Sequence, residues 1–198
     1  AGNGRPERGD ARRIFARKPQ YSWGWDWSPR VATTAIAGDV LLRAMDRACV
    51  RDVVLHPERR GTSDVILHAT TVIHQFHTYR AEPARVKIAL IDEAGHAFSA
   101  EVEVLLRSGV NYVDLDLLLD KPQLWWPSGM GHAHRYRVLV QATVGDVKLR
   151  YPEFRYGVRF VSLASLGDFA VEINGCRVFA KGANWIPADA LYARVTDD

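Results

Sequence analysis

From Val50 to Val161 the chain alternates apolar and polar residues with period two. Strands with one face on a core and the other in water produce that pattern. VRDVVLH (50–56), DVILHATTVIH (64–74), ARVKIALID (84–92), HAFSAEVEVLL (96–106), NYVDLDLLL (111–119), RYRVLVQATV (135–144) and VKLRYPEF (147–154) are the strands it predicts. In NYVDLDLLL, Tyr112, Asp114 and Asp116 share one face, and Val113, Leu115 and Leu117 share the other. Turn residues separate most runs, at Glu58-Arg59-Arg60-Gly61, Glu82-Pro83, Glu93-Ala94-Gly95, Ser108-Gly109 and Val144-Gly145-Asp146. Short strands at this spacing, with almost no helical periodicity, predict an all-β chain built on an immunoglobulin-like β-sandwich.

The flanks differ. The lead-in AGNGRPERGDARR is expected to be disordered, and Val31-Ala32-Thr33-Thr34-Ala35-Ile36 is a short β-like piece after it. Towards the other end, Phe169–Ile173 and Cys176–Ala180 enclose Asn174-Gly175. Asn-Gly between two β-like runs predicts a hairpin with a type I′ turn. A strand over Arg177–Gly182 and the loop Ala183-Asn184-Trp185-Ile186-Pro187 follow, and the last residues run towards the start of a helix. One strand and a loop bury no core of their own. The chain is therefore expected to be a piece of a longer protein.

Composition changes this picture little. The 26 basic residues face 23 acidic ones, and no dense Lys/Arg patch lies beyond the first eighteen residues, so nucleic acid is not an expected partner. Cys49 and Cys176 are far apart in the sequence, which argues against a disulfide framework. No apolar run approaches the roughly 20 residues that span a bilayer, and no membrane partner is expected. The lead-in has no apolar segment of the signal-peptide kind. Nothing in the sequence calls for a cofactor.

One stretch does change the picture. Gln20-Tyr21-Ser22-Trp23-Gly24-Trp25-Asp26-Trp27-Ser28-Pro29-Arg30 gathers three of the six tryptophans around one aspartate. Exposed tryptophan and buried carboxylate are both costly, so the combination suits a surface that a ligand docks against. LWWPSGMG (124–131), YGVRFVSL (156–163) and the run from Ile173 through Arg177-Val178-Phe179-Ala180-Lys181-Gly182-Ala183-Asn184-Trp185-Ile186-Pro187-Ala188-Asp189 follow it in order. Together these motifs resemble family 2 glycoside hydrolases over nearly the whole chain after residue 14. The GWDW and KGANWIPAD forms are similar to the β-mannosidase branch.

The resemblance implies an architecture and a site. Residues 1–45 would be the lead-in and the end of a jelly-roll, sugar-binding-like domain. Residues 46–163 would be the sandwich. Residues 164–198 would hold the leading hairpin and first strand of a (β/α)8 barrel. In such enzymes the GWDW loop reaches the barrel mouth and helps to wall the terminal sugar pocket. A tryptophan face suits the apolar C–H face of a pyranose, and a carboxylate accepts hydrogen bonds from two hydroxyls. Asp26 and Trp25 are thus expected to bind substrate, with Trp23 and Trp27 packing. Asn184 and Trp185 would fall just past a barrel strand, where barrel active sites lie, and are expected to bind substrate too. The implied partners are a β-linked mannoside or related oligosaccharide and the remaining domains of the parent chain.

No catalytic residue is expected within the chain. Retaining glycosidases need two carboxylates about 5–5.5 Å apart. The resemblance places both on later barrel strands, and Glu103, Glu153 and Glu172 stand in no comparable motif. Where the family usually has Gly-Ile-Trp-Arg after GWDW-x-P, this chain has Ala35-Ile36-Ala37-Gly38, without the Trp and Arg. Asp189 reads as a helix N-cap. Trp125 and Trp126 read as inter-domain packing, and Arg159 as a bridge from sandwich to barrel. His74 and His77 would point to opposite strand faces. His132 and His134 would share a face and point to solvent, as two histidines without a third ligand do. Two other functions stay open: a relative acting on another sugar, such as an exo-β-glucosaminidase, and a stand-alone carbohydrate-binding or interaction module. The unpartnered barrel strand argues against the module.

Overall fold

The computed structural model describes residues 11–34, 36, 38–76, 80–164, 169–191 and 194–196. They form two compact units, one of residues 1–43 and 181–198, the other of residues 44–180. The smaller unit contains 3-10 turns at Ala11–Phe15 and Gln20–Ser22 and an antiparallel hairpin, β1 (Trp23–Trp25) and β2 (Ser28–Arg30). Residues 1–10, where most of the disordered lead-in was expected, lie outside the described residues, as does His77. Residues 31–34 and 36 form no strand, contrary to the β-like pattern there. Ala32, Thr33, Thr34 and Ile36 are exposed, and period-two alternation makes a strand only where a sheet edge accepts it.

The larger unit is a sandwich of antiparallel sheets. Its strands are β3 (Ala48–Arg60), β4 (Asp64–Gln75), β5 (Glu82–Ile91), β6 (Ala97–Leu106), β7 (Gly109–Leu119), β8 (Tyr136–Val144), β9 (Val147–Arg150) and β10 (Phe154–Tyr156). One sheet has the order β3-β4-β7. The other has the order β10-β8-β5-β6, with β9 also on β8. Alternation along each strand builds the core. Val65, Leu67, Ala69 and Ile73 of β4, with Val113, Leu115, Leu117 and Leu119 of β7, are buried on the first sheet. Val86, Ile88 and Leu90 of β5, with Val138, Val140, Ala142 and Val144 of β8, are buried on the second. Tyr112, Asp114 and Asp116 face water, as the sequence pattern requires.

This arrangement is immunoglobulin-like, down to a tyrosine corner. Tyr136 opens β8, is buried, and its Oη accepts the Gln123 N–H at 2.8 Å. Burial raises its phenol pKa above the ordinary value. Two boundaries differ from the sequence expectation. β3 runs on through Arg60, because Arg60 still pairs with Asp64, and the turn is confined to 61–63. The VKLRYPEF run breaks in two around Pro152, which has no N–H for a ladder. Its halves, β9 and β10, pair with β8 at Gln141–Val144 and Tyr136–Val138.

Beyond the sandwich, β11 (Val161–Leu163), β12 (Val171–Ile173) and β13 (Cys176–Val178) form a small sheet in that order. Asn174 (φ 54) and Gly175 (φ 84) turn β12 into β13, as the Asn-Gly signal predicts. The strand expected over 177–182 is shorter: β13 ends at Val178, since β12 is its one partner among the described residues. Asn174 then does more than turn the chain. Its N–H donates to Phe160 O (2.8 Å), its Oδ1 accepts the Phe160 N–H (3.0 Å), and its Nδ2 donates to Trp125 O (3.0 Å). Trp125 N–H donates to Val158 O at 2.8 Å. A Cβ on Gly157 would lie 2.8 Å from Trp125 Cβ and Cγ, so only glycine fits there without movement. The Arg159 guanidinium lies 5.1 Å from the centroid of the Trp125 ring.

Three expectations follow. Asn174→Ala removes two side-chain hydrogen bonds and places a Cβ-bearing residue without a polar side chain at positive φ. Unfolding in urea should show a loss of about 2–4 kcal/mol, with Asn174→Gly losing less because it keeps the turn. Gly157→Ala should cost about 1–3 kcal/mol by overpacking Trp125. His68 of β4 lies between Glu58 of β3 (2.9 Å) and Asp116 of β7 (2.8 Å), and the hydrogen bonds to Glu58 and then Asp116 raise its pKa. A raised folded value gives stabilisation that is full below the unfolded value of about 6.5 and lost as pH rises through the folded value. The stability gap between wild type and His68→Ala should be present at pH 5.5 and shrink towards pH 9.

Candidate functional site

The β1–β2 register pairs Trp23 with Arg30 and Trp25 with Ser28. Asp26 and Trp27 are therefore the two-residue turn at the hairpin tip. Gly24 takes φ 99, which a side-chain-bearing residue rarely adopts. Ser28, paired with Trp25 beside the turn, is buried, as is Ser22 just before β1, where Val31 N–H donates to Ser22 O at 2.9 Å. These buried positions brace the hairpin, and the tryptophans divide by role. Trp23 is half-buried beneath the Arg30 guanidinium, 5.5 Å from the ring centroid. Trp27 packs on Tyr21, with centroids 5.1 Å apart. Trp25 is 45% exposed. Asp26 is exposed as well, and no hydrogen bond or ion pair engages its carboxylate among the described residues. An exposed carboxylate can accept two hydroxyl hydrogen bonds, and an exposed indole can cover an apolar surface.

Asn184 and Trp185 are also exposed, Trp185 by 85%, on an irregular segment of the same compact unit. Among the described residues no hydrogen bond or ring contact joins them to Trp25 and Asp26. Asp189 has a local role. Its Oδ1 accepts the Leu191 N–H at 2.7 Å, and its carboxylate pairs with Arg194 at 2.6 Å. The Leu191 N–H, followed by Arg194, holds that carboxyl below the usual carboxylate range despite partial desolvation. It caps the turn closed by Arg194 N–H on Leu191 O, and Arg194 is 3-10 helical, while residues 192, 193, 197 and 198 of the expected helix start lie outside the described residues.

The glutamates considered from the sequence lie in the larger unit and are engaged with arginines. Glu153 pairs with Arg137 (2.9 Å), which holds its carboxyl below the usual range. Glu103 pairs with Arg85 (2.6 Å), and Glu172 lies 3.9 Å from Arg177. A cleft of about 520 Å³ lies by Pro83, Arg85, Glu103 and Thr143, and another of about 370 Å³ by His56, Tyr156, Arg159 and Phe160. None of the four substrate-binding candidates lines either cleft.

Trp125 meets Gly157 and Arg159 of the sandwich and Asn174 of the segment that follows it. Arg159 makes a carbonyl contact, as expected, donating to Gly157 O at 3.2 Å. One sequence expectation needs correction. His134, read as solvent-facing, is 3% exposed. It continues the inward parity of Tyr136, and the two rings stand edge to face at 4.6 Å. His132 shares its side, with ring centroids 5.9 Å apart, and Glu93 lies beside both. The His-Ala-His spacing was visible in the sequence. Glu93 was not, because only the pairing of β5 with β8 brings its turn to that place.

Comparisons with known proteins give the family. The family model of Glycosyl hydrolases family 2 matches residues 48–159, more than half of the chain. Beta-mannosidase B of Aspergillus flavus is 33% identical over 196 residues, covering 95% of this chain and 22% of the relative. Beta-mannosidase B of Emericella nidulans is 29% identical over 195 residues, covering 96% of this chain and 22% of the relative. The chain thus spans about a fifth of the length of the curated relatives it matches. A crystal structure of β-D-mannosidase from Dictyoglomus thermophilum superposes with a TM-score of 0.84 at 30% identity, covering 95% of this chain and 24% of that one. A family 2 β-glucuronidase structure, at 18% identity, a TM-score of 0.53, and coverage of 66% and 14%, shares the fold alone. The sandwich, its matched family model and its likeness to mannosidases beyond the sandwich lead to one assignment: the chain belongs to glycosyl hydrolases family 2, in its β-mannosidase-like branch.

Proposed function

We propose that this chain is part of a retaining exo-glycosidase that removes terminal β-linked mannose, and that the β1–β2 hairpin supplies a wall of its sugar pocket. The observation that carries this is the tip of the hairpin, where Asp26, exposed and with no hydrogen bond or ion pair among the described residues, follows the exposed Trp25. Asn184 and Trp185 are a second amide and aromatic pair for the same sugar. The mannosidase names of the relatives support the choice of sugar.

On this reading residues 46–163 are the sandwich, residues 1–45 end a jelly roll, and residues 164–198 open a barrel. Exposed apolar side chains support a larger parent: Phe15, Leu42, Phe169, Phe179 and Trp185 are each more than 80% exposed. Surface of that kind is normally covered by a partner or another domain. The two catalytic carboxylates belong to the parent's barrel, which fits the arginine pairing of Glu103 and Glu153 here.

Two outcomes test the proposal. The 198-residue chain alone should release no product from an aryl β-mannoside, since an acetal is inert without its acid and nucleophile. Turnover that disappears on mutating one of its own residues would refute this. In the full-length enzyme, Asp26→Asn should leave the melting temperature unchanged and lower kcat/KM about ten- to a hundredfold. A hydrogen bond to a charged group is worth about 1.5–3 kcal/mol, and the amide presents donors where acceptors are needed. Trp25→Ala should raise KM more than it lowers kcat, because stacking is made in ground and transition states alike. An Asp26→Asn enzyme that melts early with normal kinetics would make Asp26 a structural cap.

A further inference from the structure

We propose that Glu93, His132 and His134 form a binding site for a divalent transition-metal ion of the zinc class on the sandwich. One potential donor atom from each lies within 4.8 Å of the others. Ligands about 2.0–2.2 Å from a common ion sit roughly 3–4 Å apart, so small side-chain rotations close the set. Glu93 and His132 are exposed and free to make them, while His134 is held in the packed interior.

The backbone beneath each ligand is fixed. Glu93 sits on the turn between β5 and β6, where the Asp92 carboxylate accepts the N–H groups of Ala94 (2.9 Å) and His96 (2.8 Å). Asp92 also engages the His96 ring at 3.1 Å, which leaves Glu93 as the turn's available ligand. On the other side, His132 O accepts the Trp126 N–H at 3.1 Å, and Ala133 bridges Trp125. A Cβ on Gly131 would lie 2.9 Å from Trp126 Cγ, so the segment lies directly against that indole. His132 and His134 therefore flank a braced bridge residue just before β8.

His134 points independently to a ligand. Its side chain is buried, and neither Nδ1 nor Nε2 has a hydrogen-bond partner. Leaving a buried polar group unmet is unfavourable, and a metal bond at one ring nitrogen relieves it. Two imidazoles and one carboxylate favour zinc, cobalt or nickel over calcium or magnesium, which take oxygen-rich sets. The solvent-facing side leaves room for water as a further ligand. A bound ion would pin the β5–β6 turn to the start of β8, acting structurally and apart from the sugar chemistry.

The test titrates the 198-residue chain, prepared without a histidine tag, with Co²⁺ followed by visible absorption, then with Zn²⁺. One equivalent of Co²⁺ should bind saturably with ligand-field bands that Zn²⁺ abolishes. Saturating Zn²⁺ should raise the melting temperature by roughly 5 °C. Glu93→Gln and His132→Ala, both at exposed positions, should each weaken binding at least tenfold, and the double variant should remove it. The control His56→Ala should bind as wild type. Absence of saturable binding, or binding undiminished in the double variant, would overturn the proposal and leave the His134 nitrogens to buried water.

Discussion

A single side-chain amide holds together segments that lie far apart in the chain. Asn174 occupies a positive-φ turn position, and that position aims its carboxamide at two backbones, accepting from Phe160 and donating to Trp125. The same residue therefore sets the β12–β13 hairpin, anchors the chain leaving the sandwich and fixes the LWWP segment. Gly157 is bare because Trp125 fills the space where a side chain would go. Gly131 is bare beneath Trp126 for the same reason. Trp125, Trp126, Gly131, Gly157 and Asn174, drawn from three of the family motifs, thus pack together within the larger unit.

Much of this fold was legible because an antiparallel sandwich has one dry face and one wet face per sheet, which writes period two into the sequence. Val113, Leu115 and Leu117 against Asp114 and Asp116 are the plainest case, and the Asn-Gly turn was equally direct. The misses share a cause. Val31 to Thr34 and Ile36 have a strand's pattern and form no strand among the described residues. Arg59 and Arg60 look like turn residues and remain in β3 because pairing with Val65 and Asp64 outweighs their local preference. The burial of His134 and the approach of Glu93 depend on β5 lying beside β8, which no local pattern encodes.

The candidate sugar site was legible in a different way. Composition alone singled out the tryptophans around Asp26 as too costly to be ordinary surface. The division of labour among them is structural: Trp23 is half-buried beneath Arg30, the turn lays Trp27 on Tyr21, and Trp25 and Asp26 are left exposed. A carboxylate with no partner among the described residues is free to meet a ligand. Asn184 and Trp185 rest on a longer inference, since among the described residues no hydrogen bond or ring contact joins them to Trp25 and Asp26.

The central claim is that the free Asp26 carboxylate meets the terminal sugar. A crystal structure of the full-length enzyme with a mannose-configured inhibitor tests it most directly. The expected result is both Asp26 carboxylate oxygens within hydrogen-bonding distance, about 2.5–3.0 Å, of inhibitor hydroxyls, with the Trp25 ring against the sugar. An inhibitor bound with Asp26 turned to solvent, or engaged by a protein donor, would contradict it.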